Sequence, residues 1–465
     1  MKLPRRQDDA KADRPARARG EDTGGVSRRA VLQASAGAVA GTAISAASAP
    51  LPAIATGGPK RGGHSHGGGY PGLLQIPPPK TNAGTGGSPL TPSVLRALDT
   101  QTLPVNDVAF RDLFARTEAL AAEVLETDDD VLLTPAEAIM CIEAAMRSAI
   151  RPGITALNLI SGLYGQDYTG WMESFGANVI ELRVPYNESI DPSSVEAILA
   201  QHPEVEFMSV VHVDTPSGTY NAVDQICPIA KAYGVVSMVD SASTYGSMPL
   251  HSDKWGADIT VGASQKSVAS PAAVGIISVS DAAWELFAKN PNAPVRSFLS
   301  LIDYKNTWFV GGRVPSTVSP TVTFGLYAAL NDLVRHVGVE KRIRETTRSA
   351  RAFRAGARAM GIELWAASES IAADCNSTLL VPPNHTLQEA LDLLRQRYSV
   401  ACAGTTFTGN PSGTTIRVGH MGSVQIEAGF ILRLLEAIGR AWEDLGADLD
   451  VRGGLRVARR MLRGW

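Results

Sequence analysis

An aspartate and a lysine each follow an apolar segment with the pattern of a buried β-strand. Asp240 comes directly after Val-Val-Ser-Met-Val at 235–239, and Lys266 comes shortly after Ile-Thr-Val at 259–261. A carboxylate at the end of a buried strand is costly unless it meets a cation or hydrogen-bond donors. A lysine in such a place can pair with an acid, or its amine can form a Schiff base with a carbonyl compound. Taken alone, each residue fits an ion pair and an active site equally well.

Three further segments carry side chains that suit the binding of a flat, charged small molecule. Tyr164 lies in the glycine-flanked loop Ser-Gly-Leu-Tyr-Gly at 161–165, where its ring could stack on a ligand or pack beneath its own loop. Thr215 belongs to Asp-Thr-Pro-Ser-Gly-Thr at 214–219, which offers hydroxyl groups beside a turn. The guanidinium of Arg417 can bind a carboxylate through two parallel hydrogen bonds, or it can form a salt bridge with a local acid.

Lys266 and Asp240 together suit one reaction chemistry. A lysine that forms a Schiff base with pyridoxal, and a carboxylate that keeps the pyridine nitrogen protonated, turn the ring into an acceptor for an electron pair on the amino carbon. Arg417 would then hold the carboxylate of the reacting amino acid or oxoacid.

The chain between these residues alternates between helix and strand patterns. Apolar residues recur every three or four positions over 108–126, which predicts an amphipathic helix. Thr134, Pro135 and Glu137 predict the start of a second helix that runs to about residue 150, with Thr134 and Glu137 as a capping box. Strands are predicted near 131–133, 155–160, 178–184, 206–213, 235–239, 258–262 and 274–279, with helices near 167–175, 191–201 and 224–233. This alternation predicts an α/β fold with a mostly parallel sheet, whose ligands bind at the carboxyl ends of the strands.

The pattern changes near residue 325, so two folded domains are predicted, a large one at 91–325 and a smaller α+β domain at 326–450. A basic tail is predicted at 451–465. The smaller domain is predicted to have a long helical run to about 358, strands near 362–367, 377–381, 399–403 and 414–419, and helices near 386–396 and 424–445. A chain of 465 residues is too long for a single small binding module.

Residues 1–49 have the composition of a twin-arginine signal peptide. Arg28 and Arg29 precede an uncharged stretch rich in Ala, Gly and Ser, which closes on the cleavage pattern Ala-Ser-Ala at 47–49. The stretch is too weakly apolar for a convincing membrane span. We therefore expect a periplasmic or secreted protein, or a cytoplasmic one if the leader does not function. Residues 50–90 are predicted to be a Gly/Pro-rich linker in which two histidines, at 64 and 66, are solvated.

Composition and charge disfavour several classes of partner. The chain has 43 basic and 46 acidic side chains and a formal net charge of -3, so nothing drives it towards nucleic acid. Its four cysteines are widely spaced, without a C-x-x-C pair, so no metal site is expected. We expect no membrane association of the mature form.

Five segments in this order resemble the class V aminotransferases of fold type I. They are the loop of Tyr164, the segment at 214–219, Val-Asp-Ser-Ala at 239–242, Ser-Gln-Lys at 264–266 and Ile-Arg-Val-Gly-His-Met-Gly at 416–422. The resemblance covers roughly residues 90–445. It implies a large, mostly parallel, seven-stranded type of sheet with a smaller C-terminal domain. It also implies a cofactor bound at Lys266, either pyridoxal 5'-phosphate or unphosphorylated pyridoxal or pyridoxamine.

The same resemblance implies roles for individual residues. Lys266 would be the Schiff-base lysine and Asp240 the partner of the pyridine nitrogen. Tyr164 would be the stacking ring, Thr215 a ligand on the hydroxyl side of the ring, and Arg417 the carboxylate clamp. Small-molecule amines and 2-oxoacids would be the substrates.

Glu137 and Gln265 bear on whether the ligand carries a phosphate. In phosphate-binding members of the family, the turn that starts this helix supplies small hydroxyl residues and free N–H groups, which suit an anion. A phosphate within ~4 Å of an ionised Glu137 would be repelled by roughly 4 kcal/mol per unit charge at an effective dielectric constant near 20. Members that act on unphosphorylated pyridoxamine are similar to this chain in having a glutamate there. Gln265 resembles the alanine-glyoxylate branch, where that amide can face a phosphate. The capping box would instead turn Glu137 away from any ligand.

The expected reaction is transfer of an amino group from pyridoxamine to pyruvate, which gives pyridoxal and L-alanine. An alternative is an aminotransferase of the alanine-glyoxylate type that depends on pyridoxal phosphate, and another is an exported vitamin B6 binding protein without turnover. The pyridoxamine-pyruvate pattern has a second arginine where this chain reads Gly-Thr-Thr-Phe-Thr-Gly-Asn-Pro-Ser-Gly at 404–413. The family resemblance also implies a homodimer or a dimer of dimers, to whose shared sites Ser316 or Thr317 could contribute.

Overall fold

The structure is a computed structural model that describes residues 79–315, 318–409 and 411–463. The predicted signal peptide at 1–49, the two histidines at 64 and 66, most of the predicted linker, and Ser316 and Thr317 lie outside the described residues. The strands, in chain order, are β1 (Thr81–Asn82), β2 (Asp130–Thr134), β3 (Thr155–Ile160), β4 (Asn178–Arg183), β5 (Val205–Val211), β6 (Val213–Asp214), β7 (Thr219–Tyr220), β8 (Val236–Asp240), β9 (Ile259–Ala263), β10 (Gly275–Val279), β11 (Asn376–Leu380), β12 (Val400–Ala401), β13 (Ala403–Phe407) and β14 (Gly413–Gly419).

Helices precede, separate and follow these strands. In chain order they are α1 (Pro92–Leu98), α2 (Val108–Leu125), α3 (Ala138–Ala149), α4 (Leu163–Ser174), α5 (Pro192–Gln201), α6 (Val223–Ala232), α7 (Ser252–Trp255), α8 (Asp281–Ala288), α9 (Leu301–Lys305), α10 (Pro320–Asn331), α11 (Val339–Met360), α12 (Leu387–Arg397), α13 (Ala428–Asp444) and α14 (Val451–Arg463). The segments Asn306–Val310 and Asp332–Val337 are π-helical. Each helix of the described residues is too short or too polar to cross a lipid bilayer.

The central sheet has seven strands in the order β2-β10-β9-β8-β5-β3-β4. Strand β10 is antiparallel to both of its neighbours, and the other pairings are parallel. This confirms the predicted α/β fold with a mostly parallel sheet. Strands β8, β9 and β10 are buried along their whole length, which explains their continuous apolar sequence. Because β3, β5, β8 and β9 are neighbours and run in the same direction, the residues that follow them lie at one edge of the sheet.

Helix α3 begins later than the sequence predicts. Glu137 is its N-cap and accepts a hydrogen bond from the backbone N–H of Ile139 at 2.9 Å. The predicted capping box with Thr134 is wrong, because Thr134 is the last residue of β2 and pairs with Gly275 of β10. The sheet therefore holds Thr134 in an extended conformation, and the chain needs three more residues before it can turn into a helix.

The small sheet is antiparallel, in the order β11-β14-β13, and helices α11 to α14 cover it. The strand predicted near 362–367 is wrong, since this segment contributes only one bridge, between Leu364 and Leu379. The basic tail predicted at 451–465 is also wrong for its described part, which folds as helix α14. Apolar side chains at a helical spacing form its buried face, and they are Val451, Leu455, Ala458 and Leu462. Five exposed arginines on the opposite face conceal this pattern in the sequence.

The end of the predicted linker, residues 79–90, takes part in the fold. Strand β1 pairs in parallel with β12, and both Thr81 and Ala83 are buried. The prediction of a linker is therefore wrong for residues 79–90. Backbone hydrogen bonds hold it in place, from the N–H of Thr81 to the carbonyl of Ser399 and from the N–H of Ala83 to the carbonyl of Ala401.

The side chain of Gln425 ties this N-terminal segment to the rest of the molecule. Its buried amide nitrogen donates to the carbonyl oxygens of Asn82 and Gly84, at 3.2 and 3.0 Å. Its amide oxygen accepts from the Ser88 hydroxyl at 3.2 Å and from the backbone N–H of Met421 at 3.3 Å. The backbone N–H of Ser88 donates in turn to the carbonyl of Gln265. One buried amide thus connects the segment at 79–90, the end of β14 and the loop that carries Lys266.

Three sizeable apolar cores lie in the described residues. The first contains residues between Val94 and Leu333, the second contains residues between Leu157 and Ala257, and the third contains Ala83 and residues between Ala352 and Leu462. All of these residues belong to one compact unit, so the domain boundary near residue 325 stays a prediction.

We expect Gln425→Ala to lower the free energy of unfolding by about 3 kcal/mol, because it leaves several buried polar groups without partners. Chemical denaturation of the variant and the wild type measures this. Gln388→Ala is the matched control, since Gln388 is exposed and bonds only to Asp392 within its own helix. Equal losses in the two variants would contradict the role given to Gln425.

Candidate active site

Four of the residues predicted from the sequence meet in one cavity. Tyr164 follows β3, Asp240 ends β8, Lys266 follows β9, and Glu137 lies just before α3. They line a space of about 190 Å³ at the edge of the central sheet where the parallel strands end. The remaining lining residues are Ala138, Ile139, Ile142, Tyr168, Val213, Ala242 and Ser243.

Lys266 is almost completely buried, with 7% of its surface exposed. Its ammonium group donates to the hydroxyl of Ser243 at 3.3 Å, and no carboxylate of the described residues forms an ion pair with it. A buried ammonium with a single neutral partner has unused donors, which is costly unless a ligand meets them. The alternative of a simple ion pair with Asp240 is therefore not what the structure shows.

Asp240 is equally buried, and its two oxygens have separate donors. Oδ2 accepts from the hydroxyl of Tyr168 at 2.7 Å, and Oδ1 accepts from the backbone N–H of Ala242 at 3.0 Å. Burial raises the pKa of Asp240, while these two donors and the charge of Lys266 act to lower it. Burial and the neighbouring Asp240 raise the pKa of Tyr168 well above its ordinary value, so Tyr168 stays protonated and donates.

The sequence analysis missed Tyr168 and Ser243. Tyr168 comes four residues after Tyr164 on α4, so the two tyrosines share one face of the helix, and this spacing could have revealed it. Ser243 comes three residues after Asp240 in the Val-Asp-Ser-Ala-Ser segment. Its contact with Lys266 depends on the pairing of β8 with β9, which the sequence does not show directly.

A buried aspartate holds the loop of Tyr164. Asp214 accepts from the backbone N–H of Tyr164 at 2.9 Å and from the N–H and hydroxyl of Ser217 at 3.2 and 3.1 Å. Burial raises the pKa of Asp214, while these donors and the charge of Arg417 act to lower it. A Cβ atom at Gly162 would lie 2.1 Å from the Asp214 side chain, so only glycine permits this approach.

Thr215 lies in the turn between β6 and β7 and is buried. Its carbonyl accepts a hydrogen bond from the Asn376 side chain at 3.0 Å. It does not line the 190 Å³ cavity, so its role as a ligand of the ring stays a prediction.

Glu137 and Gln265 contact each other beside the cavity. The amide nitrogen of Gln265 donates to Oε1 of Glu137, while Oε2 of Glu137 caps α3. The amide oxygen of Gln265 is buried and has no partner among the described residues. The carboxylate of Glu137 thus occupies the N-terminus of α3, the place where an anion would otherwise be favourable. This carboxylate disfavours a second anion, such as a phosphate group, at the same place.

Arg417 lies in the middle of β14, opposite Thr378 of β11 and Ala403 of β13. Its Nε is buried without a partner, and no acid of the described residues forms a salt bridge with it. Its charge acts to lower the pKa of Asp214. Arg417 does not line the 190 Å³ cavity, so its role as the carboxylate clamp stays a prediction.

The segment at 404–413, where this chain lacks the second arginine of the pyridoxamine-pyruvate pattern, contributes Phe407 to a group of aromatic side chains. Phe407 stacks on Trp365 with ring centroids 4.5 Å apart, and Tyr186 meets Phe407 edge to face. A cavity of about 450 Å³ beside them includes Arg183, whose guanidinium makes two hydrogen bonds of 2.7 Å to Glu181. Within residues 79–315, 318–409 and 411–463, no group of three or more His, Cys, Asp and Glu side chains could hold a metal ion.

Comparison with known proteins identifies relatives with the same fold. The family model for class-V aminotransferases matches residues 117–293. The pyridoxamine–pyruvate transaminase of Mesorhizobium japonicum is 34% identical over 79% of this chain and 92% of its own length. The crystal structure of pyridoxamine-pyruvate aminotransferase from Mesorhizobium loti is 31% identical, covers 84% of this chain and 99% of its own, and has a TM-score of 0.78.

A more distant relative is the alanine–glyoxylate aminotransferase of Callithrix jacchus, 25% identical over 60% of this chain and 68% of its own length. The transaminase of Mesorhizobium japonicum spans most of both chains at 34% identity. The cavity also contains the lysine and the aspartate that the family resemblance implies, Lys266 and Asp240. The chain belongs to the class V aminotransferases.

Proposed function

We propose that this enzyme transfers an amino group from pyridoxamine to pyruvate and forms pyridoxal and L-alanine. The observation that carries the proposal is the carboxylate of Glu137 at the N-terminus of α3, fixed there by Gln265 and the N–H of Ile139. A negative charge in that place disfavours a phosphorylated ligand and leaves hydrogen-bond acceptors for a neutral hydroxyl group. The Mesorhizobium relative, whose name states this reaction, supports the same choice.

The residues that would hold the vitamin B6 ring are Tyr164, Asp240, Lys266 and Glu137. When bound, the ring supplies a conjugated system that accepts an electron pair from the carbon that carries the nitrogen. Asp240 suits the ring nitrogen because its carboxylate is buried, is held by neutral donors, and is not neutralised by an ion pair. Tyr168 fixes the orientation of this carboxylate, so that Asp240 can hold a proton on the ring nitrogen throughout the reaction.

Lys266 provides the base for the proton transfer. The proton moves between the carbon of pyridoxamine that carries the nitrogen and the carbon of pyruvate that receives it. Its amine has one neutral partner, the hydroxyl of Ser243 at 3.3 Å, so it can turn without breaking an ion pair. Burial keeps water away from the amine, which protects the proton transfer from exchange with solvent. Arg417 would bind the carboxylate of pyruvate and later that of alanine.

A second candidate is an aminotransferase of the alanine–glyoxylate type that uses pyridoxal phosphate. The unpartnered amide oxygen of Gln265 and the relative with that name favour it. The Glu137 carboxylate opposes it, because a phosphate beside that group would be repelled.

We expect the purified protein to lack tightly bound pyridoxal phosphate and to convert pyridoxamine and pyruvate into pyridoxal and alanine. Lys266→Ala should lower this activity by at least about 100-fold, because it removes the group that transfers the proton. Coupled detection of alanine measures turnover, and borohydride reduction followed by peptide mass spectrometry identifies the residue that carries the pyridoxyl group. Stoichiometric pyridoxal phosphate together with turnover of alanine and glyoxylate alone would instead establish the second candidate.

We expect Glu137→Ser to tighten the binding of pyridoxal phosphate by at least about tenfold, because it removes the repelling charge from the α3 N-terminus. The same change should lower kcat/KM for pyridoxamine. Glu143→Gln is the control, since Glu143 lies on the same helix and pairs with Arg147 away from the cavity. Fluorescence titration with both vitamers measures the affinities. An unchanged preference in Glu137→Ser would argue against the role of Glu137.

We also propose a homodimer or a dimer of dimers, and export directed by residues 1–49. Phe298 and Val310 expose 81% and 76% of their surfaces, and Phe298 also lines a mostly apolar cavity of about 460 Å³ that extends to Met140 of α3, which supports burial by a second copy. Sedimentation of the purified protein tests the assembly, and a monomer would contradict it.

The proposed export directed by residues 1–49 has a separate test. Replacing Arg28 and Arg29 by lysine should retain the full-length protein in the cytoplasm, as cell fractionation would show.

A further inference from the structure

A second polar cavity lies away from the Lys266 cavity and shares none of its lining residues. It has a volume of about 390 Å³ and lies between the π-helical segment Asp332–Val337, the first turns of α11 and the loop that follows β14. Its basic side chains are Lys341, Arg342 and Arg348, all on α11, and Ser423 comes from the loop. Nothing in the proposed transamination uses these residues.

Arg342 is buried in this cavity, and no acid of the described residues is in direct contact with it. Only 5% of its surface is exposed, and its one side-chain hydrogen bond runs from Nη2 to the hydroxyl of Ser423 at 3.0 Å. Its Nε is buried and has no partner, and no carboxylate of the described residues forms a salt bridge with it. A guanidinium presents five donors, so a nearly buried one with a single hydroxyl partner is strongly under-satisfied.

Arg348 is partly buried and also lacks an acidic partner. Its Nε is buried without a partner, and it forms neither a hydrogen bond nor an ion pair with any described residue. The two guanidiniums line one cavity with donors that no described carboxylate accepts, and an anion in the cavity would supply the acceptors.

The acids around the cavity do not form ion pairs with these two arginines, although burial lowers the pKa of Arg342 while the charges of Glu345 and Asp332 act to raise it. Asp332 accepts from the Ser93 hydroxyl and from His336, and Glu345 lies 3.9 Å from Lys341. Glu427 is exposed, so water and salt screen its charge. The groups left without an acidic partner are therefore the positive ones, Arg342 and Arg348.

We propose that this cavity binds a small oxyanion, a carboxylate or a phosphate, through Arg342, Arg348 and Ser423. Planar guanidinium groups match both anions with paired hydrogen bonds, and the hydroxyl of Ser423 adds a neutral donor. The cavity has room for a ligand larger than the anion alone, so the oxyanion can be one end of a metabolite. The site is independent of the proposed function, since it contains none of the residues of the Lys266 cavity.

The test is calorimetric titration of the full-length protein with inorganic phosphate in one arm and with L-alanine in the other. The alanine arm uses an Arg417→Ala background, so that binding at the proposed carboxylate clamp does not contribute. We expect a single site in at least one arm, and Arg348→Gln should weaken it by about tenfold through the loss of charge-assisted hydrogen bonds. Binding in the phosphate arm alone identifies a phosphate ligand, and binding in the alanine arm alone identifies a carboxylate.

Arg344→Gln is the matched control, because Arg344 is exposed on the same helix and pairs with Glu340 outside the cavity. It should leave the affinity unchanged within about twofold, as expected for an exposed pair. Ser423→Ala provides a second variant that keeps the buried charge of Arg342 in place, and it should also weaken binding. Absence of binding in both arms, or equal affinities for Arg348→Gln and Arg344→Gln, would overturn the proposal.

Discussion

The structure depends on a separation of charge inside one buried cavity. Lys266 and Asp240 both lie at the ends of parallel strands, almost completely out of water, and they do not neutralise each other. Neutral hydroxyl groups hold them instead, Ser243 for the ammonium and Tyr168 for the carboxylate. A direct ion pair would fill the space that a ligand needs. The neighbouring positions of β8 and β9 bring the two charges to one edge, and the hydroxyls keep them apart.

The small sheet contributes to this cavity through a few buried polar contacts. The charge of Arg417 acts to lower the pKa of Asp214, and Asp214 accepts a hydrogen bond from the backbone N–H of Tyr164. Gln425 ties the end of β14 to Ser88, whose backbone donates to Gln265 next to Lys266. A movement of the small sheet would therefore act on both walls of the cavity. The segment at 79–90 takes part in the second of these links, although its sequence has the composition of a linker.

The sequence predicted those features that depend on local patterns. Strands β3, β8, β9 and β10 are continuous apolar runs buried on both faces, and their observed ends agree with the predicted ones to within one or two residues. Residues at strand ends were therefore predictable as a group. The pairing of segments that are far apart in the sequence was not predictable from local patterns. The start of α3 depends on the pairing of Thr134 with Gly275, and the fold of residues 79–90 depends on backbone hydrogen bonds to β12. Helix α14 was missed because its apolar face has only four residues among many arginines.

Glu137 shows how one residue can satisfy a local and a chemical requirement together. The N-terminus of a helix favours an anion, and in this chain the anion is the protein's own carboxylate. The helix loses nothing by this exchange, because Glu137 caps it in the usual way. In the proposed function the ligand lacks a phosphate as an electrostatic anchor, so Tyr164, Asp240 and Lys266 would provide the binding. A ring held by stacking, by one ring-nitrogen contact and by a reversible bond can leave after each turnover. Departure of the ring is what distinguishes a substrate from a resident cofactor, and the carboxylate at this position favours the substrate.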